Sequence, residues 1–317
     1  MVDIIIPAYN ALNTINQTLA SILYQNTKYE FKVTIVDDCS SQNYESLINF
    51  YNNFFAVNYL RLERNSGPGV ARQFGLDNTN NPYIIFIDSD DVLANPDALE
   101  VMISNIISYD DDVLTTTFVE ETGSGFLPKQ NDMVWLHGKI YKREFLETNN
   151  IRFNGYRKNE DTGFNTLVFM YDLKYHYVDF KTYIWRNNQD SITRKNNYEF
   201  AFEGAEWFAK NMLWAIEVGL AKNLSKYKIS YNSYVALCST YFMYVAFYKT
   251  RDFSKMIPAV RKILNIYKQY PLDENEKMNI VEGYSKVSPF GDNFTNMFFS
   301  GVSFDDYINM IEGGYND

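Results

Sequence analysis

The chain alternates between two apolar rhythms. Apolar-rich stretches at residues 2–6, Phe31–Val36, Val57–Leu62 and Tyr83–Ile87 suit strands, the first stopped hard by Pro7. Between them, Leu12, Ile15, Leu19, Ile22 and Leu23 recur at helical spacing over 13–25. Residues 44–55 read as a second helix, and a Gly/Pro turn at 67–69 leads into a third over about 70–78. Strand and helix alternating at such short intervals predict a parallel sheet covered by helices. Further on the pattern is mixed. It predicts a helix over 97–108, a strand over 113–119, a polar segment with aromatics over 126–136 and a helix over 160–171. Two short strands follow at Tyr177–Phe180 and Thr182–Trp185. Beyond 198 the rhythm is helical, over 199–218, 231–249 and 253–270, and Pro271-Leu272-Asp273-Glu274 restarts a further helix at a capping signal. The expected fold class is α/β, a mainly parallel mixed sheet flanked by helices over residues 1–195, with a helical C-terminal region over 196–317 packed on it.

Parallel sheets of this kind bind ligands outside the carboxyl ends of their strands. Pro7-Ala8-Tyr9, Asp37-Asp38 and Asp88-Ser89-Asp90 all fall there. In Phe86-Ile87-Asp88-Ser89-Asp90-Asp91 a strand runs straight into three acids. Burying several unpaired carboxylates is prohibitive, so the strand ends here with its acids in a cleft. Clustered hard oxygens suit Mg²⁺ or Mn²⁺ shared with a phosphate. A polar turn with Asp91 capping the next helix is the competing reading. Composition adds bounds. At 317 residues there is room for one large domain with an appendage. No run of 18 apolar residues occurs, so no spanning helix is expected, and the start of the chain reads as a first strand rather than a secretory leader. Two cysteines make no disulfide framework, which favours a reducing, cytoplasmic setting, with peripheral attachment to the inner membrane left open. A net charge of −10 speaks against nucleic acid or anionic lipid as a partner.

Four stretches then fall in register: Ile6-Pro7-Ala8-Tyr9-Asn10, Val36-Asp37-Asp38-Cys39-Ser40, Asn65-Ser66-Gly67-Pro68-Gly69-Val70-Ala71-Arg72-Gln73-Phe74-Gly75, and the acidic strand end at 86–91. In order and spacing they resemble the successive signatures of family 2 glycosyltransferases, enzymes of the GT-A fold. A looser resemblance to that family's acceptor-side half continues through His137–Leu146, Ile151-Arg152-Phe153 and Asn159-Glu160-Asp161-Thr162-Gly163-Phe164. The resemblance implies a nucleotide-binding half at 1–95 and an acceptor-side half at 96–195. It implies a UDP-sugar donor and Mn²⁺ or Mg²⁺ as cofactor. Pro7, Ala8 and Tyr9 grip the base and ribose, unless they form a plain turn. Asp38 accepts a base N–H, and Asp37 braces or caps the turn. Gly67 lets the backbone approach the ligand. Arg72 reaches the base or diphosphate, or pairs with Asp38 or Asp88. Asp88 serves the ribose and supports the metal, with Ser89 between, and Asp90 is the direct ligand.

An inverting transfer needs a carboxylate to take the acceptor proton. The resemblance gives that role to Asp161, with Glu160 bracing the site, although acids at a helix N-terminus are also stabilised there structurally. His137 lines the acceptor site, His176 is structural, and Arg186 or Arg194 closes over the diphosphate or stays in solvent. The acceptor is a saccharide or other hydroxyl, foremost a surface glycan or lipid-linked saccharide. A modified DNA base and a catalytically silent sugar-nucleotide-binding module are the alternatives. The aromatic stretch Tyr241–Tyr248 packs onto the catalytic domain with the rest of 200–317, or else offers a homodimer contact through the C-terminal helices or a bilayer-facing patch.

Overall fold

The computed structural model describes residues 1–188, 199–247, 252–287 and 302–313. It divides into two compact units, Met1–Arg194 and Lys195–Asp317. In the first, β1 (Val2–Ala8), β2 (Phe31–Asp37), β3 (Val57–Arg61) and β4 (Tyr83–Phe86) are parallel neighbours in the order β3-β2-β1-β4. Helices α1 (Leu12–Leu23), α2 (Glu45–Tyr51) and α3 (Pro68–Asp77) connect them. Every residue of β1 is buried, so its side chains feed cores on both faces of the sheet. The buried Asp3 within it is held by the Asn81 backbone N–H (2.8 Å) and by Arg143 (3.0 Å). Arg143 therefore anchors the end of the sheet where β1 begins and takes no part in the rim opposite.

Past β4 the sheet becomes mixed. β8 (Lys139–Lys142) runs antiparallel to β4, β6 (Val113–Thr122) antiparallel to β8, and β9 (Tyr175–Trp185) parallel to β6. The two-residue β5 (Val92–Leu93) closes the order against β9, and β7 (Gly125–Lys129) folds back on β6 as a hairpin. The two short strands expected near 180 are one continuous strand. A register shift takes Thr116 opposite Val178 and Thr117 opposite Lys181. Asp179 stands in that irregularity, bonded by the Thr117 hydroxyl at 2.8 Å, which is why the pattern broke there in sequence. Helices α4 (Ala98–Tyr109), α5 (Arg143–Thr148) and α6 (Glu160–Met170) complete the unit.

The second unit contains α7 (Glu199–Ala221), α8 (Lys226–Phe247), α9 (Ile257–Tyr267), α10 (Glu274–Val287) and, last among the described residues, α11 (Phe304–Gly313). Its core includes Ala209, Met212, Ile216, Leu237, Ile263, Tyr307 and Ile311. The aromatic stretch on α8 serves that core. Tyr241 and Tyr244 lie 5.5 and 5.4 Å from the Tyr307 ring, and Phe242 and Val245 are buried. Tyr248 lies outside the described residues. Among the described residues no helix is long and apolar enough to cross a membrane.

Candidate functional site

Three of the parallel strands deliver their ends to one rim. Asp37, last residue of β2, is fully buried and braces its turn. It accepts from Ser40 N (2.8 Å) and the Tyr59 hydroxyl (2.6 Å) and pairs with Arg61. The neighbouring Asp38 accepts the backbone N–H groups of Ser66 and Gly67, each at 2.7 Å. It thus fastens the loop that opens α3. Gly67 sits at φ +96, a conformation that favours glycine, and its N–H is one of the two groups Asp38 holds. Gly69 is required for a different contact: a Cβ there would stand 2.7 Å from Cγ of Glu160 on α6. Tyr9, just past β1, leaves its ring about half exposed at the same rim.

Arg72, on the first turns of α3, is buried and joins the two halves of the domain. One guanidinium nitrogen pairs with Asp88 at the end of β4, and the other donates to Glu160 at the start of α6 at 2.6 Å. The sequence left Arg72 between ligand contact and a partner acid; it takes Asp88 together with Glu160. Burial alone would raise the Asp88 carboxyl, but Arg72 and then His137 outweigh it and hold Asp88 well below the usual carboxylate range. Arg72 itself stays protonated, because its two acids overcome the cost of burying it.

Around this bridge negative charge is in excess. Burial, then the Asp88 charge, raises Asp90, whose Oδ2 receives Asn188 Nδ2 at 3.0 Å. Asp91 is not the helix cap expected of it. Its N–H closes a turn onto the Asp88 carbonyl (3.1 Å), β5 follows at once, and the next helix waits until Ala98, with Asp97 at its N-cap. Asp91 is instead 1 % exposed, accepting the Tyr183 hydroxyl (2.6 Å) and the Arg186 backbone N–H (2.8 Å). Burial, then Asp90 and Asp88, pushes its carboxyl well up. On α6, burial raises Glu160 against the pull of Arg72. Asp161 is pushed up to about 7 by burial and the adjacent Glu160 charge, with Arg72 opposing.

His137 stands against the acids of the strand end. It is 6 % exposed, with Nε2 3.7 Å from both Asp88 Oδ2 and Asp91 Oδ2. His176 pairs with Asp111 at 2.8 Å and stacks on Tyr109. The Arg186 side chain comes within 3.9 Å of Glu121, while Arg194 lies outside the described residues. Sequence reading missed Tyr183, Asn188 and Lys139. Tyr183 reaches the acids from the far end of β9 and Asn188 from just past it, pairings no local pattern encodes. The fully buried Lys139 donates to the Trp135 carbonyl and lies 3.6 Å from Asp132, shaping the 132–137 loop. A lysine inside a strand flanked by apolar residues was the available signal. The acids Asp88 and Asp91 with His137 bring three ligand atoms within 4.8 Å of one another, a donor set that fits a divalent cation.

The family model described as glycosyl transferase family 2 matches residues 3–170. Among curated proteins, poly(ribitol-phosphate) beta-N-acetylglucosaminyltransferase TarS of Staphylococcus aureus is 30 % identical over 167 residues, covering 48 % of this chain and 29 % of its own. The corresponding TarP is 26 % identical over 210 residues, 60 % of this chain and 64 % of its own. The matched part thus spans less than a third of the length of TarS. Among solved structures, that of S. aureus TarS 1–349 in complex with UDP-GlcNAc matches with a TM-score of 0.67 at 20 % identity, over 100 % of this chain and 93 % of that one. The mannosyltransferase PcManGT from Pyrobaculum calidifontis, in complex with GDP-Man and Mn²⁺, matches with a TM-score of 0.54 at 14 % identity, over 99 % and 88 %.

Proposed function

Since the chain belongs to glycosyl transferase family 2 and has the GT-A fold, we propose that it moves a single sugar, with inversion, from a UDP-sugar to a hydroxyl acceptor with the help of Mn²⁺ or Mg²⁺. The Arg72 bridge carries the reading. One buried guanidinium ties the acidic end of β4 to the N-terminus of α6, so the donor acids and the Glu160-Asp161 pair border one cleft.

Tyr9 stacks on the base, with Pro7 and Ala8 offering backbone groups. A carboxylate has about four acceptor positions. Loop amides occupy two on Asp38, which leaves two for a base N–H. Asp88 serves the ribose, and Asp90 and Asp88 would hold the cation. The excess of buried acids over cationic partners, expressed in the raised Asp90 and Asp91 carboxyls, is the feature of this site that a divalent ion would relieve. Such an ion offsets charge on the departing diphosphate. Asp161 takes the proton from the acceptor hydroxyl as the oxygen attacks the anomeric carbon from the face opposite the diphosphate. Glu160, held by Arg72, raises the proton affinity of Asp161 and so suits it to the task.

UDP-GlcNAc, the donor bound in the TarS structure, is the first donor to try, and a polyol-phosphate or saccharide chain the first acceptor class. Thermal shifts with UDP, GDP and CDP, each with and without Mn²⁺, test the donor half. We expect UDP with Mn²⁺ to stabilise most, by mass action on the folded state. Metal-dependent stabilisation by none of the three would sink the reading.

A further inference from the structure

The two 3.7 Å separations around His137 are longer than hydrogen bonds, which for N–H to oxygen end near about 3.2 Å. They are close to the spacing of ligands on one ion. Two donors each about 2.1 Å from a cation lie about 3.0 Å apart at a right angle and about 3.4 Å apart at the tetrahedral angle. The three ligand atoms of His137, Asp88 and Asp91 lie within 4.8 Å of one another, so a modest inward shift of these side chains would bring them onto a common ion.

The imidazole is held for such a task. Its ring stacks on Tyr183 (4.6 Å, 17°) and runs parallel to Trp135 (5.9 Å, 6°), with Phe118 edge-on at 5.1 Å. Its Nδ1 is buried and has no hydrogen-bond partner among the described residues. Packing alone therefore sets the ring plane, and the one nitrogen with polar company is the one directed at the acids. A buried polar ring left in this state calls for an explanation.

We propose that His137 Nε2 is a further direct ligand of the divalent cation assigned above to Asp88 and Asp90, joining it from the side where Asp91 also stands, and that this nitrogen turns the site toward Mn²⁺ and away from Mg²⁺. The inference rests on the metal-dependent reading above and sharpens it. Imidazole is a softer donor than carboxylate, and Mg²⁺ keeps to oxygen and water where a transition ion accepts nitrogen.

Pulsed EPR of Mn²⁺ bound to the full chain in the presence of UDP reads the ligand directly. We expect imidazole-nitrogen modulation, retained in His176→Gln, since the chain has only these two histidines. We expect the modulation to vanish in His137→Gln, with Mn²⁺ affinity lowered at least about tenfold and Mg²⁺ affinity changed far less. The wild-type spectrum stands even if the variant folds poorly. Bound Mn²⁺ without nitrogen modulation, or with modulation lost in His176→Gln, overturns the inference and leaves the metal-dependent reading intact. No Mn²⁺ binding with UDP present overturns both.

Discussion

At the scale of single residues the site is a problem in placing charge. Asp88, Asp90, Asp91, Glu160 and Asp161 crowd around one buried arginine, and the protein resolves this unevenly. Arg72 spends its two terminal nitrogens on Asp88 and Glu160, leaving Asp161 with a carboxyl near 7. A base must be deprotonated, so kcat/KM for transfer should climb with pH up to about 7 and level off above it. Asp161→Asn should cost about 10²–10⁴-fold in kcat while UDP affinity holds. Stability should move the opposite way. A carboxyl raised from its ordinary 3.8 to about 7 stays protonated longer in the folded state, so it detracts from stability as pH rises through that window. Asp161→Asn should therefore melt above the wild type at pH 8, the gap closing towards pH 4. Removing the bridge is harsher. Arg72→Ala strands the buried Glu160 and the half-buried Asp88 and should cost about 3–5 kcal/mol in chemical unfolding, and Arg72→Lys should recover little, lacking the fork that meets both. Much of this was legible in the chain. A strand cannot carry three acids into a core, so Asp88 and Asp90 declare a cleft. Asp91 misled, because an acid ahead of a helical segment looks like a cap. Nothing local signals that Tyr183 and the Arg186 backbone claim it first.

At the scale of elements, the strand-to-helix units of the first half were legible because each carries its own period and its own stop. The mixed half was not, because β6, β8 and β9 pair across long separations and β9 absorbs an irregularity mid-strand. Helix α3 illustrates what spacing conceals. Gly67, at its start, reads in sequence as room for a ligand, yet two glycines within the helix make room for neighbouring elements. A Cβ on Gly75 would meet Ile5 Cγ2 at 2.5 Å and Val36 Cγ2 at 3.0 Å, both from the central strands. Gly75→Ala should lift α3 from the sheet and cost about 1–3 kcal/mol in denaturant melts. Gly69→Ala presses instead on Glu160, near the stem of its side chain. Its effect should appear as a fall in kcat larger than its fall in melting temperature, because the displaced group is the partner of Arg72 and the neighbour of Asp161.

At the scale of the molecule, the parallel strands deliver acids to a single rim, and α3 and α6 are tied to each other there by a buried ion pair. That arrangement, with family membership, is what supports assigning the strand-end acids and Asp161 to one reaction. The second unit adds a separate helical core whose aromatics fill one another's spaces. We propose that this unit serves the acceptor side or self-association rather than the donor chemistry, whose expected residues, Arg194 included, all fall within Met1–Arg194. The most direct test of the central claim is the release of UDP from a panel of UDP-sugars, UDP-GlcNAc first, by the full chain with Mn²⁺. Turnover that requires the cation and collapses in Asp161→Asn is the predicted result. UDP release that is indifferent to Mn²⁺ and undiminished in Asp161→Asn would contradict it.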